Sequence, residues 1–265
     1  MEKIKDFLTK NKIFFYITLF LFHVGATLLI SFIYNKANLG INNYLKLSIG
    51  YCFQILLLGI IMIIFKWIDY FKFSIKNILK ILIPIITFLF ANGLLVYITY
   101  NEYKNIYEFV STNTLIFYVI YLFFVSIFLV LINIAIFKIV ANDSEKLFFI
   151  IVASAAFALF NIYGNVSIRS LTCISVILDF FFLGFLLNTI YVKTKSCYIM
   201  VLLTLIYQFR KTFALCIFDI PKFLFGVINE VNISMKTLIV STIFNILFVF
   251  IPALLCLIIK KKKEK

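Results

Sequence analysis

The sequence predicts an all-α, polytopic membrane helix bundle of about eight transmembrane helices, and three observations predict it. Hydrophobic residues fill 64% of the 265 positions and charged ones 14%, whereas the apolar share of a soluble globular domain is near half. The apolar residues fall into runs close to the ~20 residues that a helix needs to cross the hydrocarbon core. Short lysine-bearing loops separate the runs and leave no stretch for a soluble domain of ordinary size. Residues 1–265 therefore read as a single integral membrane domain.

The first run covers about 13–34, between Lys12 and Lys36, and the second about 47–65, between Lys46 and Lys66. The first is too long and too continuous with its successors for a cleaved signal peptide, so it is expected to stay as a span. A third run occupies about 81–100. The fourth, about 114–137, is followed by Lys138 and a polar turn, and the fifth covers about 147–163. The sixth extends over about 171–192, the seventh over about 197–209, and the eighth over about 237–259 before a lysine-rich tail. Between the second and third runs, 67–80 reads either as an amphipathic helix in the headgroup plane or as a basic connector that extends the third span. The apolar segment 217–236, with Pro221 and Gly226, rests on the outer surface or re-enters the bilayer edge.

The formal charge of +14 would suit a nucleic-acid binder if it formed a continuous patch. It does not: the basic residues stand between apolar runs, as membrane anchors and topology signals do. With eight spans and both termini inside, 17 of the 25 Lys and Arg residues fall on the cytoplasmic side and eight outside. That asymmetry predicts cytoplasmic termini, anionic lipid at the basic cytoplasmic face, and no nucleic acid. The five cysteines, Cys52, Cys173, Cys197, Cys216 and Cys256, have no close pair at ligand spacing, so neither a disulfide framework nor a zinc site is expected. No phosphate loop, zinc-protease helix or serine-hydrolase motif occurs, and no cofactor is expected.

Polar groups inside a bilayer are costly and tend to face the bundle interior, so each is a site candidate. His23, the single histidine, is expected to make a helix-to-helix hydrogen bond. Asp179 is the one acidic residue well inside an apolar run. It reads either as an ion-pair or cavity anchor, with Lys138 or Arg210 as candidate partners, or as a hydrogen-bonded packing carboxyl. Gln54, Asn92, Asn188 and Asn245 are expected to link helices through their amides.

Three local patterns occur in an order that carries a family resemblance. Residues 152–164, VASAAFALFNIYG, contain a small-residue run, then Phe157 and, four positions on, Asn161. Residues 183–196, LGFLLNTIYVKTKS, contain Gly184, Tyr191, Thr194 and Ser196, followed by an apolar run with Thr204 and Gln208. Residues 132–138, INIAIFK, contain Asn133, Ile134, Phe137 and Lys138. In this order they resemble the motifs of the CAAX protease and bacteriocin-processing (CPBP, or Abi) family of intramembrane proteases. The resemblance covers about 131–208 and implies a CAAX-protease-like core over about 114–217.

In that family a glutamate is held to act as general base on water, with histidines and an asparagine positioning it and stabilising the oxyanion. Here Asn133 and Ile134 stand for the glutamates, Lys138 for an arginine, Asn161 and Thr204 for the histidines, and Gln208 for the asparagine. Asn133, Ile134, Asn161, Thr204 and Gln208 cannot serve as a base near neutral pH. The resemblance thus implies a catalytically inactive pseudoprotease. Asn133, Lys138, Asn161, Thr204 and Gln208, with Asp179 near them, would line a cavity open to the cytoplasm.

That expectation makes the chain a binding or scaffold subunit for a membrane or cell-envelope protein partner, or a self-immunity factor against a bacteriocin, in a prokaryotic plasma membrane. Two rivals stand beside it. A membrane subunit of a transporter or a small-solute carrier would use the same cavity, and an intramembrane hydrolase with atypical residues would pair Asp179 with His23.

Overall fold

In a computed structural model, the described residues are 7, 10–37, 43–67, 112–141, 144–162, 171–214 and 245–258, with single positions between 82 and 90 and between 235 and 243. They form helices and turns, with no strand among them. The helices are α1 (Lys12–Ala37), α2 (Asn43–Ile64), α3 (Thr112–Ala141), α4 (Leu147–Phe160), α5 (Leu171–Thr194), α6 (Cys197–Ala214) and α7 (Ile251–Ile258). A π-helical turn, Ile246–Phe250, leads directly into α7. Stretches of α1, α2, α3 and α5 are long and apolar enough to cross a membrane, and α4 and α6 contribute shorter apolar segments. The protein is a membrane-embedded helical bundle. The expected third run, the connector 67–80 and the outer segment 217–236 fall wholly or mostly outside the described residues.

The helix limits follow the sequence's punctuation. α1 begins at Lys12, and α4 begins after the extended Lys146. α4 ends at Phe160, earlier than the apolar run does, because Asn161 leaves the helical path and its N–H closes the last turn onto Phe157 and Ala158. α3, at 30 residues, is about 45 Å long, more than the ~30 Å hydrocarbon core requires. α5 and α6 are joined by Lys195 and Ser196, with Lys195 in the left-handed region at φ 52°.

Side-chain contacts fix the helix directions. Phe15, near the start of α1, packs on Phe65 and Trp67 just beyond the end of α2, while His23 meets Gln54, so α1 and α2 are antiparallel. Tyr44 meets Tyr118 and Tyr51 meets Phe128, so α2 and α3 run in the same direction and form no direct hairpin. α5 runs with α3, through Asn133 to Asn188 and Phe137 to Tyr191. α7 runs with α5, through Phe185 to Phe250 at the preceding π turn and Lys193 to Leu257. α4 and α6 run the other way: Ser154 meets Asn188, and Tyr207 meets Asp179. One end of the bundle therefore carries Lys12, Lys66, Lys138, Lys146, Lys193, Lys195 and the end of α7.

The core lies on α3 and α5. Two thirds of each of their spans is buried, 67%, against 17% for α1 and 28% for α2. Lipid tails are as apolar as leucine, so close van der Waals packing rather than water exclusion holds such helices together. Gly184 on α5 shows how close that packing is. A Cβ there would stand 2.8 Å from Cδ1 of Phe157 and 3.4 Å from the backbone of Ser154, both on α4. Hydroxyls buried in hydrocarbon are satisfied locally: Ser126, Ser154, Thr189, Thr194 and Thr204 each donate to the carbonyl four residues back.

Candidate functional site

The close approach at Gly184 brings a polar chain into the centre of the bundle. One turn further along α5, the fully buried Asn188 faces both neighbours. Asn133 on α3 donates through Nδ2 to Asn188 Oδ1 at 2.8 Å. Asn188 donates in turn through Nδ2 to Ser154 Oγ on α4 at 3.0 Å. Ser154 passes its own hydrogen to the Ile150 carbonyl at 2.6 Å. Three helices are thus joined by one directed series of hydrogen bonds. At its donor end, Asn133 Oδ1 is a buried acceptor with no hydrogen-bond partner among the described residues.

Of the residues the sequence nominated, Asn133 is the one inside this series. Asn161 is buried at the C-cap of α4, where its Nδ2 donates to the Phe157 carbonyl of its own helix at 2.8 Å. Thr204 is fully buried on α6 and donates to Met200 of its own helix at 2.7 Å. No hydrogen bond joins Asn133, Asn161 and Thr204 to one another among the described residues. Lys138 sits half-buried at the basic end of α3, next to Phe137, whose ring meets Tyr191 edge-on. Gln208 is half-buried on α6 beside Tyr207.

Asp179 belongs to a second cluster, toward the opposite end of α5. Its Oδ1 accepts from Asn245 Nδ2 at 2.8 Å, and its backbone carbonyl accepts from the Tyr207 hydroxyl at 3.2 Å. The Asn245 contact comes from the residue that opens the π turn before α7. Asp179 thereby ties α5 to α6 and to the start of that turn. The side chain of Arg210, one of the two partners expected for Asp179, lies outside the described residues.

Sequence reasoning placed Asn188 and Asn245 among packing amides and gave Ser154 no role. The signal for Asn188 was present: an amide four residues after Gly184, on the face that the glycine brings against α4. Chemically, the Asn133–Asn188–Ser154 series consists of amides and a hydroxyl, which donate and accept hydrogen bonds but do not take a proton from water at neutral pH. Among the described residues, no three His, Cys, Asp or Glu side chains come together as a metal site would require. Comparison with family models, curated proteins and solved structures found no match.

Proposed function

We propose that this chain is a multi-pass protein of a prokaryotic plasma membrane, with about eight spans and both termini in the cytoplasm. It has the CAAX-protease-like core and does not cut peptide bonds. It acts as a binding or scaffold subunit for a membrane or cell-envelope protein, or as a self-immunity factor. The observation that carries this reading is the Asn133–Asn188–Ser154 series. At the position where the resemblance expects a general base, the side chain is an amide already committed to a neighbouring helix.

Two further features support it. Thr194 and Ser196 match a Thr-Gly-Ser turn of the family that the chain resembles, and Lys195, which stands at the glycine position, adopts a left-handed backbone, a conformation that glycine enters freely. The described lysines at one end of the bundle agree with a cytoplasmic face attracted to anionic lipid.

Gentle detergent extraction from the native membrane should yield the chain with a second protein in fixed ratio. The purified chain should leave candidate peptides intact. A preparation that repeatedly yields the chain alone, or one that hydrolyses a peptide bond, overturns the reading.

A further inference from the structure

His23 is held by a closed set of hydrogen bonds that determines where its proton sits. Thr27 gives its hydroxyl hydrogen to the His23 carbonyl at 2.9 Å. Its Oγ1 is then left to accept from Gln54 Nε2 at 3.3 Å. That contact orients the Gln54 amide so that its oxygen, Oε1, faces His23 Nδ1 at 2.7 Å. An oxygen acceptor there requires the hydrogen to be on Nδ1. The neutral ring therefore carries its lone pair on Nε2.

The two faces of the ring are occupied. Phe128 of α3 stacks at 5.1 Å between ring centroids and Phe160 of α4 at 5.2 Å, each within 30° of parallel. The Nε2 edge is what remains, and no described residue donates to it. His23 is also the central residue of the 23-residue span Lys12–Tyr34, about 17 Å from either end along the helix. Water and lipid headgroups lie far from that depth. A second proton would place a charged ring at the bilayer centre, which is costly.

We propose that Nε2 of His23 is the recognition point for a transmembrane helix of a partner protein, one that brings a side-chain amide or hydroxyl donor to mid-bilayer depth. The donor must be carried there by an apolar body, and of the four spans among the described residues α1 is the least covered by its own protein, with 17% of it buried against 67% in α3 and α5. The inference rests on the scaffold reading and assigns its docking edge and the chemistry that this edge selects.

The single histidine makes the test direct. The full chain, labelled with nitrogen-15 histidine and placed in lipid nanodiscs, gives one pair of ring signals. These should show Nδ1 protonated and Nε2 bare. Two designed probe peptides, apolar leucine-alanine spans with either asparagine or leucine at the centre, are then titrated in. The asparagine peptide should shift the Nε2 signal and bind about three- to twentyfold more tightly than the leucine peptide, the range spanned by interhelical hydrogen bonds in membranes. A His23→Phe chain should lose that difference.

Equal binding of the two peptides, or a proton found on Nε2 rather than Nδ1, overturns the proposal. So does an Nε2 shift that depends on the chain's own concentration without peptide, which would make the occupant a second copy. The nitrogen signals need no variant, so misfolding of His23→Phe would not remove the test. The peptides also act without the natural partner. Failure of the scaffold reading, seen as a chain that purifies alone, is therefore separable from failure at His23.

Discussion

Asn133 and Asn188 meet amide to amide at 2.8 Å between two parallel helices, and the bond is one-sided: Asn188 is used at both its oxygen and its nitrogen, Asn133 at its nitrogen alone. The two positions should therefore respond unequally to the same change. Asn188→Leu strands the Asn133 amide nitrogen and removes the donor to Ser154. Asn133→Leu strands one oxygen of Asn188 but also removes an acceptor that has no partner. Interhelical hydrogen bonds in membranes are worth about 0.6 kcal/mol on average and up to about 1.7. Asn188→Leu should accordingly cost about 1–2 kcal/mol in reversible detergent unfolding, and Asn133→Leu less than half of that. The double variant should show positive coupling between the sites. Equal losses would contradict the one-sided bond.

Gly184 and Gly25 make a second pair of opposites. A methyl group at Gly184 meets the Phe157 ring at 2.8 Å, and that fully buried ring is itself set against Phe180. Overpacking of this kind costs about 1–3 kcal/mol, so Gly184→Ala should lower the unfolding temperature. It should also weaken the Asn188 bonds to α3 and α4. At Gly25 nothing lies within 4 Å of the added Cβ, and alanine is favoured over glycine in a helix interior by about 1 kcal/mol. Gly25→Ala should therefore be neutral or stabilising in the same assay.

These contrasts separate what the sequence could reveal from what it could not. Helix existence was legible because apolar runs between lysines carry their own limits: the run expected at 147–163 and the helix Leu147–Phe160 share a start. Their ends differ by the one turn that Asn161 closes. The position of Thr204 on its own helix was foreseeable in kind, since a hydroxyl in hydrocarbon can return to the carbonyl four residues back. The pairing of Asn133 with Asn188 was not legible. Several mid-span amides compete for partners, and the choice depends on how deeply Gly184 lets α4 approach α5. The parallel course of α2 and α3 was legible in kind, because the run expected between them gives the second and fourth runs the same direction, but the tyrosine contacts that join them have no local signature. For Asp179 the sequence left open a charged partner or a hydrogen-bonded packing carboxyl, and the bond observed is of the second kind, from an amide far along the chain that the sequence could not name, at the π turn before α7.

That bond gives a third prediction. Asp179→Asn keeps an oxygen that can accept from Asn245, so the link between α5 and the π turn should survive with little change in stability. Asn245→Leu removes the donor and leaves a buried carboxyl oxygen without it, at a cost of about 1–3 kcal/mol. Unfolding measured for the two single variants should rank Asn245→Leu as the more damaging. The reverse order would mean that Asp179 matters through its charge rather than through this contact.

The end of the last helix is held by a side chain from α5. Lys193 Nζ donates to the Leu257 carbonyl at 3.2 Å, one residue before α7 stops. The last carbonyls of a helix have no intrahelical donor, and a cation placed against them is worth about 0.3–1 kcal/mol. Lys193→Met preserves most of the apolar stem but removes the donor. In hydrogen exchange, amides in the final turn of α7 should then exchange faster, while those of α3 and the middle of α5 stay unchanged. Lys195→Met is the control, because Lys195 Nζ lies 4.7 Å above the Tyr191 ring, making a different contact. If both variants loosen α7 equally, the anchoring comes from the general positive charge at that end of the bundle and not from the Lys193 bond.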